Sequence, residues 1–224
     1  MVEAEKKSCL LVLGGEIRDY ELFARRLERA QQVFVADSGA RHLTRLGLTP
    51  KRVYGDLDSL TAEEIRRFSE SGCVFTVSPA EKNDTDGAIV LKEALREGYE
   101  EILIWGALGG RPDHSYANIT LLRFPAYSGR GALPELVIED KGIKVFIARK
   151  NAWIEGTAGD LLSLFALSGS VSGFRQKGLK YQPDGGVFYS FFPLGVSNEF
   201  TGDRVWMDWD SGDLLCMHID KTYA

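Results

Sequence analysis

Short apolar runs alternate with amphipathic stretches over the first 140 residues, and this alternation limits the possible folds more than any other feature. Residues 8–13 form a continuous apolar run that ends at two glycines, as expected for a strand buried on both faces. Residues 20–30 follow with apolar side chains at helical spacing, and residues 33–36 form the next strand-like run. The same order recurs up to about residue 138. Strands that alternate with helices in this way predict a parallel sheet with helices on both faces.

The pattern changes after Asp140. Seven short runs rich in β-branched and aromatic residues follow, and Gly, Asn, Asp and Pro separate them. No stretch of ten or more residues in this part carries a helical stripe, which favours an antiparallel β-sandwich. We therefore predict two domains: a three-layer, Rossmann-like α/β domain over residues 1–140 and an all-β sandwich domain over residues 141–224.

Charge and aromatic content follow the same division. Residues 141–224 hold nine basic and nine acidic residues, so the net charge of −5 belongs wholly to the first 140 residues. The last 84 residues hold 13 of the 24 aromatic residues. This contrast supports two domains of different construction.

Composition excludes several classes of protein. A general nucleic-acid-binding protein is usually basic, whereas this chain is acidic. No apolar run approaches the ~20 residues that cross a bilayer, and the N-terminus lacks the features of a signal peptide. The three cysteines form no Cys-x-x-Cys motif and no Cys/His cluster, which predicts buried free thiols, no zinc site and a cytoplasmic location.

Aspartates follow successive strands of the predicted sheet. Asp37 follows the second strand, Asp56 and Asp58 follow the third, and Asp86 opens the helix after the fourth. Ligands bind at the carboxyl ends of the strands in an open parallel sheet, so we expect these carboxylates to gather at one edge. If residues 55–59 are extended, Asp56 and Asp58 point to the same side. Carboxylates held this close need a cation, and Mg²⁺ accepts carboxylate, water and phosphate oxygens.

Each of these positions also fits a purely local role. Residues 37–39 fit a turn, and Asp58 fits a solvated loop or a helix cap. Asp86 complements the N-terminus of a helix in any protein. It is the repetition at the same end of successive strands that favours a functional site.

A glycine-rich loop at residues 106–114 follows the fifth strand and precedes a helix. Its amide groups and the helix N-terminus suit an anion, and Arg111 adds a planar donor fork for phosphate oxygens. Lys82 is a second candidate phosphate contact. The loop has the spacing of neither a P-loop nor a G-x-G-x-x-G motif. A plain glycine-rich turn is the alternative, although a turn does not require Arg111 and Asp113.

Two stretches of the β part, residues 178–181 and 195–200, lie in predicted connections, where recognition side chains tend to occur. Tyr181 offers an aromatic face to a cationic or flat ligand. On sequence alone, an ordinary loop is the better explanation of both stretches. His42 and His218 lie in a predicted helix and a predicted strand, and we interpret both as structural.

Six motifs, taken together and in order, resemble those of the thiamin pyrophosphokinase family. They are ADSGAR (36–41), GDLDS (55–59), EKNDTD (81–86), GALGGRPDH (106–114), GLKY (178–181) and SNEF (197–200). They span nearly the whole chain, including the change from the α/β part to the β part.

This resemblance implies transfer of a pyrophosphoryl group from ATP to thiamin, which gives thiamin diphosphate and AMP. It also implies a homodimer, with thiamin bound between the α/β domain of one subunit and the β-sandwich of its partner. Mg²⁺ and the ATP phosphates would be held by Asp37, Asp56, Asp58 and Asp86. Phosphate contacts would come from Lys82 and Thr85, and Arg111 and Asp113 would lie beside the substrate. Thiamin would face Tyr181, Ser197 and Asn198.

The same implied assignment gives the catalytic roles to Asp56, Asp58, Asp86 and Arg111, without saying which aspartate accepts the hydroxyl proton. Two other functions stay open at this point. A related pyrophosphokinase with another alcohol acceptor, such as a pterin, would keep the metal-side motifs and change the loops of the β part. A non-catalytic sensor of nucleotide or thiamin would seldom need four aspartates beside phosphates.

Overall fold

The computed structural model describes residues 6–77, 84–127 and 133–223. The chain divides into two compact units, Met1–Asp140 and Lys141–Ala224. The first unit combines helices and strands, whereas the second consists of strands and one short 3-10 helix. An α/β part followed by a β part agrees with the order predicted from the sequence.

The first unit contains six strands and five helices in its described residues. The strands are β1 (Ser8–Val12), β2 (Val33–Ala36), β3 (Arg52–Gly55), β4 (Val74–Val77), β5 (Glu101–Trp105) and β6 (Glu135–Asp140). The helices are α1 (Tyr20–Arg29), α2 (Ala40–Arg45), α3 (Ala62–Glu70), α4 (Asp86–Arg96) and α5 (Pro112–Leu121). Two 3-10 helices, Asp37–Gly39 and Phe124–Tyr127, complete this unit.

The strands of the first unit are parallel, in the order β6-β5-β1-β2-β3-β4. The strands β2, β3 and β4 follow β1 on one side, and β5 and β6 lie on the other side. The direction of the strand order therefore reverses between β1 and β5. Such a reversal in an open sheet leaves a crevice beyond the carboxyl ends of the strands, where ligands bind. The loops that follow β1 and β5 flank this crevice.

Helices cover both faces of this sheet because successive strand residues point to opposite sides. On one face, Phe23 of α1 and Phe68 of α3 belong to an apolar cluster that also contains Leu10 and Val12 of β1. Burial of each phenylalanine contributes roughly 1.5–3 kcal/mol. On the other face α4 packs against β1, β2 and β3. The first unit is therefore held by two apolar layers that leave the loop edge of the sheet free for a site.

A capping box begins α3. Glu64 N donates to Thr61 Oγ1 at 3.2 Å, and Thr61 N donates to Glu64 Oε2 at 2.9 Å. These hydrogen bonds hold the pKa of Glu64 below its ordinary value. The cap fixes the direction of the chain just after the loop that carries Asp56 and Asp58.

The second unit contains nine strands. They are β7 (Ile143–Ile147), β8 (Ala152–Glu155), β9 (Leu161–Ala166), β10 (Ser170–Val171), β11 (Arg175–Lys177), β12 (Phe188–Tyr189), β13 (Gly195–Glu199), β14 (Arg204–Asp208) and β15 (Leu214–Ile219). Within this unit, β13-β9-β15-β7 form an antiparallel sheet, β11-β14-β8 form a second, and β10 pairs with β12. Residues of both larger sheets, including Leu164, Met207 and Cys216, share one apolar core.

Two further expectations concern the cysteines and membrane insertion. Cys9, Cys73 and Cys216 are free and buried, as predicted, and burial raises the pKa of the Cys9 thiol to about 12. Among the helices of the described residues, none has the length and apolar character that crossing a bilayer requires.

Candidate functional site

Three aspartates from the ends of two neighbouring strands lie together. Asp37 begins the 3-10 helix after β2, and Asp56 and Asp58 follow β3. One carboxylate oxygen from each of them lies within 4.8 Å of the others. Asp37 is fully buried, whereas Asp56 and Asp58 are exposed. The cluster therefore has a buried floor and an open side, which suits a cation that also binds water or a substrate oxygen.

The segment between Asp56 and Asp58 is a turn, so the extended backbone considered for residues 55–59 does not occur. Leu57 has a φ of 67°, and Asp58 N donates to Asp56 Oδ1 at 3.1 Å. A positive φ is costly for leucine, but the side chain of Leu57 packs against the apolar cluster under α1 and α3. The turn, and not the alternation of a strand, brings the two carboxylates to the same place.

A glycine at position 55 makes the approach of the two loops possible. Its φ is 144°, and a Cβ there would lie 3.1 Å from Asp37 Cγ. A larger residue would therefore be strained and would displace the buried carboxylate.

Asp86, the first residue of α4, belongs electrostatically to the same cluster. Burial raises the pKa of Asp86 to about 7, and the neighbouring carboxylate of Asp37 and the charges of Asp56 and Asp58 act in the same direction. Such a carboxyl group binds a proton or a cation near neutral pH. Thr85 caps α4 by accepting from Ala88 N at 3.2 Å, which leaves its own hydroxyl proton able to donate.

The buried floor of the cluster indicates a missing positive charge. Asp37 Oδ1 accepts from Ser38 N, but Asp37 Oδ2 is buried and has no hydrogen-bond partner in the described part of the chain. A buried oxygen without a donor costs about 1–3 kcal/mol. A divalent cation such as Mg²⁺ would satisfy this oxygen and offset the repulsion between the carboxylates. The residues present thus fit a metal site.

The glycine-rich loop after β5 is tied to the loop after β1. Gly15 N donates to Gly106 O at 2.7 Å, and Glu16 N donates to Leu108 O at 2.7 Å. The loop leads into α5, where Arg111 is the N-cap residue and makes no capping hydrogen bond with its side chain. In the first turn of α5, Pro112 has no N–H and His114 N donates to Asp113 Oδ1 at 3.0 Å. An anion can therefore bind the His114 amide only in place of the Asp113 carboxylate.

Arg111 lies at this helix start with its donor fork already aligned. Arg111 Nε is 3.1 Å from Asp113 Oδ1, and Arg111 Nη2 is 2.6 Å from Asp113 Oδ2. This pair lowers the pKa of Asp113 to about 2. Both side chains are exposed, and exposed ion pairs are weak, so a phosphate group can replace Asp113. Lys82, the other predicted phosphate contact, lies outside the described residues.

In the second unit, the prediction that residues 195–200 form a connection is wrong. Gly195–Glu199 is strand β13, which pairs with β9 and has a register shift between Gly195 and Asn198. Ser197 lies at this irregularity, exposed and with a φ of 56°. Residues 178–181 do lie in a connection, as predicted.

Asn198 is buried and holds the backbone of Tyr181. Asn198 Nδ2 donates to Tyr181 O at 2.7 Å, and Asn198 Oδ1 accepts from Tyr181 N at 3.0 Å and from Glu199 N at 3.0 Å. The amide group of Asn198 thus uses its acceptor oxygen and one N–H for hydrogen bonds to the protein backbone. Tyr181, in contrast, is 59% exposed and presents its ring to solvent. The two residues therefore differ: Asn198 is buried and holds the backbone, whereas the ring of Tyr181 is exposed.

Sequence reasoning missed an exposed apolar segment at residues 189–196. Phe191 is 81% exposed and stacks on Tyr189 with ring centroids 5.2 Å apart. Phe192, Leu194 and Val196 are also exposed. The sequence shows a run of aromatic residues here, which belongs to one of the seven short runs of the β part. Which of its side chains face solvent cannot be told from the sequence.

The first unit matches a known family by sequence. A family model described as the catalytic domain of thiamin pyrophosphokinase matches residues 23–129. A thiamine pyrophosphokinase of Bacillus subtilis (strain 168) is 40% identical over 86 residues, which are 38% of this chain and 40% of that protein. The aligned part of the chain thus spans less than half the length of this curated relative.

Solved structures match over nearly the whole chain. The crystal structure of thiamine pyrophosphokinase from Bacillus subtilis has a TM-score of 0.80 at 25% identity and covers 96% of this chain and 99% of that chain. The corresponding structure from Geobacillus thermodenitrificans has a TM-score of 0.78 at 25% identity and covers 97% and 100%. The yeast protein shares the fold, with a TM-score of 0.79 at 18% identity over 99% of this chain and 89% of that chain.

Proposed function

We propose that the chain is a member of the thiamin pyrophosphokinase family, and that it transfers the pyrophosphoryl group of ATP to the hydroxyl group of thiamin. The products are thiamin diphosphate and AMP. The observation that carries this proposal is the cluster of Asp37, Asp56 and Asp58, whose carboxylate oxygens lie within 4.8 Å of one another at the carboxyl ends of β2 and β3.

In the proposed reaction, the cluster and Asp86 would hold Mg²⁺ beside the phosphates of ATP. When bound there, Mg²⁺ supplies charge neutralisation and polarises the phosphoryl oxygens. Arg111 binds phosphate oxygens, the His114 amide binds another once the phosphate displaces Asp113, and Thr85 donates its hydroxyl proton to a further oxygen. These groups orient ATP for in-line attack on the β-phosphorus. A carboxylate of the cluster accepts the proton of the thiamin hydroxyl.

For the acceptor side, we propose that Tyr181 and Ser197 contact thiamin. Thiamin carries a positive charge on a flat ring, which suits the exposed aromatic face of Tyr181. Asn198 then acts through the backbone of Tyr181, because its oxygen and one amide proton already bond that segment. Lys82 remains a proposed phosphate contact from its sequence position alone.

We also propose a homodimer whose active site joins the first unit of one subunit to the second unit of its partner. The exposed apolar segment at residues 189–196 supports an interface, because monomeric proteins seldom leave contiguous aromatic side chains in solvent. Light scattering during gel filtration tests this: a dimer is expected, and Phe191→Ser with Phe192→Ser should shift it towards monomer. A wild-type monomer at micromolar concentration would contradict the dimer proposal.

Product analysis tests the activity. The purified protein is incubated with ATP, Mg²⁺ and thiamin, and thiamin diphosphate and AMP are separated by chromatography. We expect both products to form only when all three components are present. A pterin in place of thiamin is the matched acceptor control. AMP release with the pterin but not with thiamin would contradict thiamin as the acceptor and indicate a pterin instead. ATP binding without release of AMP would contradict catalysis.

A further inference from the structure

His42 of α2 is a buried residue whose two ring nitrogens are both engaged. Its side chain is 5% exposed, with Nε2 2.9 Å from Gly15 O and Nδ1 2.6 Å from Tyr20 Oη. Because a carbonyl oxygen only accepts, Nε2 carries the proton and donates to Gly15, and Nδ1 accepts from the Tyr20 hydroxyl. Burial lowers the pKa of His42, and the charges of Arg41 and Arg45 lower it further. The hydrogen bond to Gly15 raises the pKa but does not outweigh these effects. His42 is therefore a neutral imidazole with a fixed tautomer.

Gly15, whose carbonyl oxygen accepts from His42, is also hydrogen-bonded to the glycine-rich loop. Gly15 accepts from His42 through its carbonyl and donates its own N–H to Gly106 O, and Glu16 N follows with a bond to Leu108 O. The two loops also pack backbone against backbone. A Cβ on Gly15 would lie 2.5 Å from both Gly106 O and Leu108 O. Neither loop can move independently of the other.

The ring of His42 also abuts the start of that loop directly. A Cβ on Gly106 would lie 3.5 Å from His42 Nε2 and 2.2 Å from Leu13 O. These loops flank the reversal point of the sheet, and residues 106–110 lead directly into Arg111 and α5. A shift of Gly15 would therefore be transmitted to the groups proposed to bind phosphate.

We propose that His42 is a positioning residue for the nucleotide. Its Nε2–H fixes the Gly15 carbonyl, Gly15 fixes Gly106, and the loop then presents Arg111 and the first turn of α5 to the triphosphate. This inference rests on the proposed function, since it assumes that ATP binds at this loop. It goes beyond that function in giving a role in nucleotide affinity to a histidine that touches neither substrate.

A purely structural role is the competing explanation, because His42 also lies among aromatic rings. Tyr20 and Phe23 have ring centroids 5.9 Å and 6.5 Å from the imidazole. Loss of ring packing would lower stability for any replacement of His42. Only loss of the Nε2 hydrogen bond should change nucleotide affinity.

Two amide replacements separate these explanations. The amide of His42→Gln reaches the place of Nε2 and can donate to Gly15 O, whereas the amide of His42→Asn reaches only the place of Nδ1. Both lose the ring, so both should lose similar thermal stability. Tyr20→Phe is the matched control, because it removes the bond to Nδ1 and leaves the bond to Gly15.

Affinity for ATP with Mg²⁺ is measured by calorimetry in the absence of thiamin, and KM values are measured for both substrates. We expect His42→Asn to weaken ATP binding roughly tenfold or more, because misplacement by a fraction of an ångström is enough for such a loss. His42→Gln and Tyr20→Phe should stay within about threefold of wild type, and KM for thiamin should not change in any of them. Amide hydrogen exchange at Gly15 should accelerate in His42→Asn alone.

Equal loss of ATP affinity in His42→Asn and His42→Gln, in step with their loss of stability, would overturn the inference. Unchanged affinity in His42→Asn would overturn it as well. If the wild-type protein binds ATP but forms no thiamin diphosphate, the proposed function fails and the test of His42 still stands. If the wild-type protein does not bind ATP with Mg²⁺, both fail together.

Discussion

Arg111 and Asp113 face each other through two parallel hydrogen bonds, Nε to Oδ1 at 3.1 Å and Nη2 to Oδ2 at 2.6 Å. Asp113 thereby occupies the guanidinium fork in the geometry that a phosphate group would adopt. Because the pair is exposed, exchange of Asp113 for a phosphate costs little. The free protein thus keeps the planar donor group oriented at the start of α5 before ATP arrives.

Removal of this donor fork should damage catalysis more than binding. We expect Arg111→Ala to lower kcat about 100-fold with a smaller rise in KM for ATP, and Arg111→Lys to recover only part of the loss because a point charge cannot bond two oxygens in one plane. Steady-state kinetics measures both. Arg66→Ala is the matched control, since Arg66 is another exposed arginine held by carboxylates, Glu63 and Glu70, and it lies on α3. Wild-type kinetics in Arg111→Ala would remove Arg111 from the mechanism.

Neutralisation of Asp56 should have opposite effects on activity and on the stability of the metal-free protein. Asp56→Asn removes one of several like charges, so the melting temperature in EDTA should rise. The stabilisation that Mg²⁺ gives to the wild type should be mostly lost, because stabilisation follows affinity. Turnover should fall on the order of 1,000-fold.

Thermal melts with EDTA and with Mg²⁺ measure the changes in stability, and a turnover assay measures the change in activity. Asp58→Asn should behave in the same way as Asp56→Asn. The control is Asp203→Asn, which neutralises an exposed aspartate of the second unit. Asp19 is not used because its side chain caps α1. A variant of Asp56 that keeps both its Mg²⁺ response and its turnover would contradict the metal site.

The positions of the aspartates were predictable because the sequence determines the direction of the strands. Once the first unit is recognised as a parallel sheet, Asp37 and Asp56 must follow neighbouring strands at the same edge. The local geometry was not predictable. The turn at Leu57 depends on burial of that side chain in a core built by distant residues, so a positive φ for leucine is invisible in the sequence.

Tertiary contacts also explain why the hydrogen-bonding roles of His42 and Asn198 could not be predicted from the sequence. His42 lies outside the six motifs, and the motif that contains Asn198 does not reveal that its side chain binds the backbone of Tyr181. Their importance comes from partners far along the chain, Gly15 for His42 and Tyr181 for Asn198. The assignment of residues 195–199 to a loop failed for the same reason, because pairing with β9 outweighs the glycine and asparagine of that segment.

Loss of the Asn198 side chain should weaken thiamin binding without affecting ATP. Asn198→Ala leaves the N–H and carbonyl groups of Tyr181 without their partner, which should cost about 2 kcal/mol of unfolding free energy and release the Tyr181 ring. KM for thiamin should rise about tenfold while KM for ATP stays constant. Ser197→Ala, which removes only an exposed hydroxyl, should leave the stability unchanged. A rise in both KM values in Asn198→Ala would indicate general unfolding and contradict a local role.

Stability at acid pH should depend on Asp160 in the second unit. Asp160 accepts from His218 Nε2 at 2.8 Å, from Thr157 N at 2.9 Å and from Lys221 N at 3.1 Å. Burial raises the pKa of Asp160, but these hydrogen bonds outweigh burial and hold it below its ordinary value. The ionised group therefore stabilises the fold above the unfolded pKa of about 4, and this contribution is lost as the pH falls through the lower folded pKa.

Urea unfolding followed by tryptophan fluorescence from pH 7 to pH 3 measures this contribution. Asp160→Asn should be less stable than wild type by about 1–3 kcal/mol at pH 7, and the difference should shrink towards pH 3. Asp203→Asn provides a surface control without this pH dependence. A constant difference between Asp160→Asn and wild type over the whole range would contradict the role of the ionised carboxylate.

The fate of the β- and γ-phosphates tests the central claim most directly. ATP labelled with ³²P at the β or at the γ position is incubated with thiamin, Mg²⁺ and the enzyme. Attack on the β-phosphorus predicts that both labels appear in thiamin diphosphate, in a one-to-one ratio with AMP, and that Asp56→Asn abolishes both. Thiamin monophosphate with ADP, or free pyrophosphate with unchanged thiamin, would contradict it.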